Sequence, residues 1–93
     1  MKYYVYVLYS ARDGRLYIGQ TKDLSNRLEV HNSGKVKSTR RRRPLRLVHY
    51  EEYTSRDKAI ARERELKSIS SRDFKRELRD RGSAKKFLSL TVV

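Results

Sequence analysis

The 93-residue chain contains no cysteine and no tryptophan, and only one proline and two histidines. Without cysteine there is neither a disulfide staple nor a thiolate zinc site. His31 and His49 are too few and too far apart in sequence to hold a structural zinc by themselves. The fold must rest on its own packing, and any metal is expected to be catalytic and bound by oxygen. Long apolar runs are missing as well: no stretch approaches the roughly 18 residues of a membrane helix. The opening MKYYVYVLYS lacks a small-residue cleavage site and a clean apolar core, so no signal peptide is expected, and a cytoplasmic protein is the simplest reading. The four glycines, at 14, 19, 34 and 82, are scattered, which excludes a glycine-rich phosphate loop. No Ser-His-Asp arrangement has a supporting context either.

Acidic residues are scarce. Against 11 Asp and Glu stand 24 Lys and Arg, a formal net charge of +13. Such an excess repels itself in a compact state and invites a polyanionic partner. A basic membrane-surface helix would need bulky apolar anchors on one face, and no helical segment here carries a wide apolar face. Nucleic acid is the favoured partner, and no membrane association is expected.

Tyr3–Ser10 (YYVYVLYS) is aromatic and β-branched, as suits a strand buried on both faces. Asp13-Gly14 signals a hairpin turn, and RLYIGQ, residues 15–20, supplies the second strand. Asp23 can cap a helix carrying Leu24, Leu28 and Val30 or His31, and Asn32-Ser33-Gly34 supplies its stop. A basic stretch ending at Pro44 follows, then a third strand over Leu45–Tyr53. Thr54 with Asp57 has capping-box spacing for a helix running to about Ser68. Ser70 or Ser71 then caps a helix that stops near Gly82, and the tail KKFLSLTVV is apolar enough to dock.

The order β-β-α-β-α-α predicts a small α/β sandwich around a three-stranded antiparallel sheet. A right-handed crossover puts strand three beside strand one, giving the order 2-1-3. One domain is expected over residues 1–93, with a core over about 3–68 and a helical extension over about 70–93.

If residues 11–14 form the hairpin loop, Leu8 pairs with Tyr17 and Tyr6 with Gly19. Tyr4, Tyr6, Leu8, Tyr17 and Gly19 then share one face, while Val5, Val7, Tyr9, Leu16 and Ile18 form the better core on the other. Tyr6 and Tyr17 become diagonal neighbours, and Gly19 opposite Tyr6 suggests a gap where a ligand could approach the backbone. Tyrosines also simply suit strands. Arg27 and His31, spaced i,i+4, project from one side of the first helix; a solvated arginine and a boundary histidine would look the same. In the second helix Ala59, Ile60, Leu66 and Ile69 mark the inward side, and Glu63 falls in the middle of that stripe. A carboxylate there is paired, metal-bound or protonated, with Arg27 or an arginine of the loop as candidate partners. Glu65, about 160° further round, reads as a surface residue. Lys35, Lys37 and the run Arg40, Arg41, Arg42, Arg43 would attract phosphates without reading bases, or form a solvated loop with no fixed target.

Tyr4-Val5-Tyr6, then Tyr17-Ile18-Gly19, Arg27, His31 and the helical Glu63 in that order resemble the GIY-YIG nuclease superfamily. The pattern YVYVL…LYIGxTxDLxxRLxxHNSGK…TR…RPLxLVxxE…A…RExxLK of its compact, single-domain bacterial members is met from about Tyr3 to Lys67. The resemblance implies a metal-dependent endonuclease. Tyr6 and Tyr17 match the motif tyrosines, Gly19 the motif glycine, Arg27 the helix arginine, His31 the accessory histidine and Glu63 the metal ligand. Tyr4 stands where the family name has glycine, and the domains that give larger members their specificity are not present.

The expectation is hydrolysis of phosphodiester bonds in DNA, branched or single-stranded strands included, with RNA as a further candidate. One Mg²⁺ or Mn²⁺ on Glu63, a Tyr17 or Tyr6 general base, and Arg27 with His31 at the phosphate would carry it. The alternative is a non-catalytic DNA- or RNA-binding module that keeps the fold. A module for acidic proteins ranks third; a protein partner and the oligomeric state stay open.

Overall fold

The computed structural model describes residues 1–68 and 72–83. The element order is β1 (Tyr3–Ser10), β2 (Leu16–Thr21), α1 (Leu24–Asn32), a 3-10 turn (Arg40–Arg42), β3 (Leu45–Tyr53), α2 (Arg56–Lys67) and α3 (Arg72–Ser83). The three strands form one antiparallel sheet in the order β2-β1-β3. The hairpin register is the one that loop closure over residues 11–14 predicts, with Tyr6 opposite Gly19 and Leu8 opposite Tyr17.

Because β1 is central, both its faces are covered, and Val5, Tyr6, Val7 and Leu8 are all buried. Val5 and Val7 join Val48, Ala59, Leu66 and Leu78 in the larger core, under α2 and α3. Tyr6, Leu8 and Leu45 form the second core, closed by Leu24 and Leu28 of α1. The molecule is thus a three-layer sandwich, α1 on one face and α2 with α3 on the other.

The partial alternation of β3 has a structural cause. Val7 pairs with His49 but Leu8 pairs with Leu47, so Val48 is an extra residue in the ladder. A bulge of this kind sets two successive side chains on one face. Before it, the odd residues Leu45 and Leu47 face α1; after it, Tyr50 and Glu52 do, while His49, Glu51 and Tyr53 turn toward α2.

Asp23 caps α1, its Oδ1 accepting from the Asn26 amide at 3.1 Å. Gly34, with φ +87°, takes the left-handed conformation after the helix end. The cap of α2 is Ser55 rather than Thr54. The helix starts at Arg56, so it is the Ser55 hydroxyl that stands three residues before the Lys58 amide it accepts. Asp57 then lies in the first turn, where it favours the helix dipole. Ile69, the Ser70 or Ser71 cap and the tail KKFLSLTVV lie outside the described residues. Among the described residues, no helix is long and apolar enough to cross a membrane.

A polar network fastens α2 to the sheet. Arg62 of α2 donates to both Glu51 oxygens of β3, at 2.8 and 3.0 Å, and Tyr53 and His49 bond to the same carboxylate. Burial pushes the Glu51 pKa up, but these bonds outweigh it, Arg62 foremost, and hold it at about 2. Phe74 of α3 sits against both the Arg62 guanidinium and the His49 ring. At the other end of α3, Gly82 touches Tyr9: a Cβ there would overlap the tyrosine ring. Gly82→Ala is therefore expected to destabilise the protein by about 1–3 kcal/mol through overpacking, read as a lower Tm in a thermal melt. An unchanged Tm would show that α3 does not dock there in solution.

Candidate active site

Four of the residues singled out from the sequence meet on the α1 face of the sheet. The Tyr6 phenol, 1% exposed, lies across β2 above Gly19, where a Cβ would come 2.7 Å from the phenol oxygen and 3.1 Å from Tyr17 Cε1. The space opposite Tyr6 is thus filled by its own ring and offers no approach for a ligand, contrary to the reading from register alone. Gly19 is needed so that Tyr6 can lie flat on the neighbouring strand.

The phenol hydroxyl and His31 Nε2 are 2.9 Å apart, and Arg27 Nε donates to the phenol oxygen at 3.4 Å. On the far side of the imidazole, Nδ1 bonds to Thr39 Oγ1 at 2.8 Å. The Tyr17 ring lies 4.8 Å from the His31 ring and 6.3 Å from Tyr6, between centroids. The hydrogen bond to Tyr6 chiefly raises the Arg27 pKa, with a smaller contribution from Tyr17. His31 is no boundary residue: it is fully buried. Burial, and then the nearby Arg27 cation, lower its pKa to about 4, so it is neutral at pH 7. Burial likewise raises the pKa of Tyr6, against the hydrogen bond from Arg27.

Glu63 stands apart from this cluster. It comes from α2, on the opposite face, and meets the sheet at the edge strand β2, where Gln20 Nε2 donates to its Oε1 at 3.1 Å. Lys67, one turn along the helix, donates to Oε2 at 2.8 Å. Its partners are therefore Gln20 and Lys67, and neither Arg27 nor a loop arginine, the two expected from the sequence. Glu63 is close enough for its charge to help raise the Tyr6 pKa, and its side chain is 19% exposed. Among the described residues no three His, Cys, Asp or Glu side chains gather into a metal cage. A single carboxylate still fits a hydrated Mg²⁺, which usually keeps several waters and binds through one or two carboxylates plus substrate phosphate. Lys67 would have to release Glu63 first.

The basic segment is anchored to the rest of the fold at several points. Asn32, at the end of α1, bonds to both the N–H and the C=O of Leu45, closing residues 33–44 into a loop against β3. Ser10 Oγ donates to the Arg42 carbonyl at 2.6 Å. Arg42 itself turns inward, with Nε on Asp13 at 2.9 Å and Nη2 on the Leu16 carbonyl. Arg43 Nε donates to the Arg40 carbonyl, its guanidinium lying over Gly34. Lys35, Lys37, Arg40 and Arg41 are exposed. Thr39, Gln20 and Ser10 were not legible as site residues, since a lone hydroxyl or amide in a polar stretch has no spacing signature. Only the fold shows that Thr39 and Ser10 are completely buried.

Residues 2–77 match the family model of the GIY-YIG catalytic domain. A UPF0213 protein of Haloquadratum walsbyi is 40% identical over 82 residues, covering 87% of this chain and 90% of that one. One from Staphylococcus epidermidis is 44% identical over 70 residues, covering 74% and 84%. The solution NMR structure of a UPF0213 protein from Bacillus halodurans superposes with a TM-score of 0.55 at 35% identity, covering 99% of this chain and 97% of that one.

The buried neutral histidine has a pH consequence. Its folded-state pKa, about 4, lies below the unfolded value near 6.5. Between those values the unfolded chain binds a proton that the folded one does not, so stability falls as pH drops through that window. The full effect is about 3–4 kcal/mol. Denaturant unfolding at pH 7 and pH 4.5 should show most of this loss in the wild type and little of it in His31→Gln. Equal losses in both proteins would refute a buried neutral His31.

Proposed function

Because the chain belongs to the GIY-YIG nuclease family, we propose that it hydrolyses phosphodiester bonds in DNA with one divalent cation, Mg²⁺ or Mn²⁺. The observation that carries this reading is the hydrogen-bonded set Tyr6–His31–Arg27, with the Tyr17 ring against it.

Glu63 would hold the cation. When bound, the cation supplies Lewis-acid stabilisation to the scissile phosphate and the leaving oxygen. Tyr17, half-buried, takes the proton from the attacking water. A phenol serves as a base only beside positive charge, since its ordinary pKa is near 10, and the Arg27 guanidinium lies within reach of both phenols. Arg27 also stabilises charge that builds on the phosphoryl oxygens. Tyr6 suits the base role less well, because burial raises its pKa. Its phenol fixes Arg27 from one side, and the neutral His31 holds that phenol in place. Lys35, Lys37, Arg40, Arg41 and Arg43 hold the DNA backbone. Arg42, paired with Asp13, chiefly sets the shape of the loop that presents them.

The Lys67 ammonium on Glu63 favours a second reading, a nucleic-acid-binding module in which the lysine permanently takes the place of the cation. Labelled single-stranded, duplex and branched DNA, with RNA controls, in Mg²⁺ or Mn²⁺ against EDTA, separate the two. Metal-dependent products should vanish in Glu63→Gln, with binding retained, and fall by about 10²–10⁴-fold in Tyr17→Phe. Salt-sensitive binding with no products on any substrate would establish the second reading. The loop gives an independent check. Arg41→Ala should weaken binding and reduce the salt slope by about one without moving Tm, whereas Arg42→Ala should lower Tm. The reverse pattern would overturn the division of roles within the arginine run.

A further inference from the structure

Beside Tyr6, on the same face of the sheet, lies a groove of about 630 Å³ between α1 and β3. That is within the roughly 300–1,000 Å³ common for small-ligand sites. Leu24 and Leu28 of α1 form one wall, Leu47 part of the floor, and Tyr4 and Tyr50 the far side. The two tyrosine rings are 6.3 Å apart, inclined at 57°. Tyr50 is 53% exposed, the most exposed large hydrophobic side chain of any described strand or helix.

We propose that this groove holds an unpaired DNA base next to the phosphate to be cut. The inference rests on the nuclease reading for its placement. Tyr50 faces Tyr6 directly in the β1–β3 register, and directly opposed residues lie about 5 Å apart. The groove therefore begins one strand spacing from the catalytic cluster, on the same surface. Tyr50 is there because of the bulge at Val48, which moves the even residues of β3 onto this face.

The charge of the groove selects which part of a nucleotide enters. Its charged lining is Lys22 against Asp23, Glu29 and Glu52, within a chain of net charge +13. Phosphates are drawn to the basic loop and repelled from this pocket. A neutral base is not repelled, and its amino groups donate to carboxylates. Asp23 is engaged in capping α1 and Glu52 pairs with Lys2. The Glu29 carboxylate makes no hydrogen bond or ion pair among the described residues, and it is exposed. Aromatic rings give a base a stacking surface that tolerates any sequence. A base within a duplex is already stacked and cannot reach it; one in a single strand, flap or gap can. The substrate class is accordingly DNA with unpaired nucleotides.

The test is binding of the full chain in EDTA, where cleavage plays no part. Fluorescence anisotropy would compare a single strand, an abasic strand of the same length, a blunt duplex and the equivalent RNA strand. The base-bearing strand should bind about tenfold or more tighter than the abasic one. Tyr50→Ala should remove most of that difference and leave abasic binding unchanged, and Tyr50→Phe should restore it. A strand carrying 2-aminopurine should lose fluorescence as the wild type binds, a readout that needs no variant. Equal affinity for base-bearing and abasic strands, or for duplex and single strand, would overturn the proposal. So would a preference for the RNA strand, or a wild-type dimer in sedimentation that Tyr50→Ala dissociates. Cleavage without a base effect sinks this inference alone; a base effect without cleavage removes the nuclease reading and leaves the groove a base-binding site.

Discussion

The hydrogen bond between the Tyr6 phenol and His31 Nε2 joins the central strand to the first helix in a region closed to water. An unpaired phenol or imidazole buried that deeply would cost a few kcal/mol, so each requires the other. Thr39 answers the second imidazole nitrogen and draws in the end of the basic segment. Gly19 must be bare for the ring to lie where it does. Three separate parts of the chain are thus fixed by this one pair of side chains. Arg27, a turn before His31, is delivered to the same oxygen. Burial of this pair, and then the Arg27 cation beside it, keep His31 neutral.

The opposite face of the sheet serves a different purpose. It carries the larger apolar core and the Glu51–Arg62 network, which fix the position of α2. Glu63 lies one residue beyond Arg62, so that network also sets where the Glu63 carboxylate meets β2. Arg62 and Glu63 point in different directions from the helix, one toward β3 and one toward β2. The sheet stands between the tyrosine cluster and the carboxylate, and the two approach each other only at its β2 edge.

The relation between basic loop and groove follows from the same economy. Asn32 and Arg42 anchor the loop to β3 and to the hairpin turn, leaving Lys35, Lys37, Arg40 and Arg41 exposed on a fixed support. On the proposed reading, basic loop, phenols and groove would offer a strand three kinds of contact: charge for its phosphates, hydrogen-bonding groups for one phosphate, and rings for a base.

Much of this was legible in the chain itself. Strand boundaries, the 2-1-3 order and the hairpin register follow from apolar patterning and turn chemistry, because a strand's side chains alternate with period two and a slip of one residue would expose its core. The same alternation placed Tyr6, Tyr17 and Gly19 on one face, and helical spacing paired Arg27 with His31. What the pattern could not supply was anything that depends on the third dimension. Thr39 gains its role by being folded against a residue eight positions away, and Gln20 by lying opposite a helix 43 positions on. Lys67 as the partner of Glu63 was within helical reach yet one of several cations available. The bulge at Val48 reverses the facing of β3 midway, which turns Tyr50 toward the site and Glu51 toward α2. Local periodicity reads one residue against the next, whereas burial, ion-pair choice and the filling of the space over Gly19 are settled only when distant elements compete for the same volume.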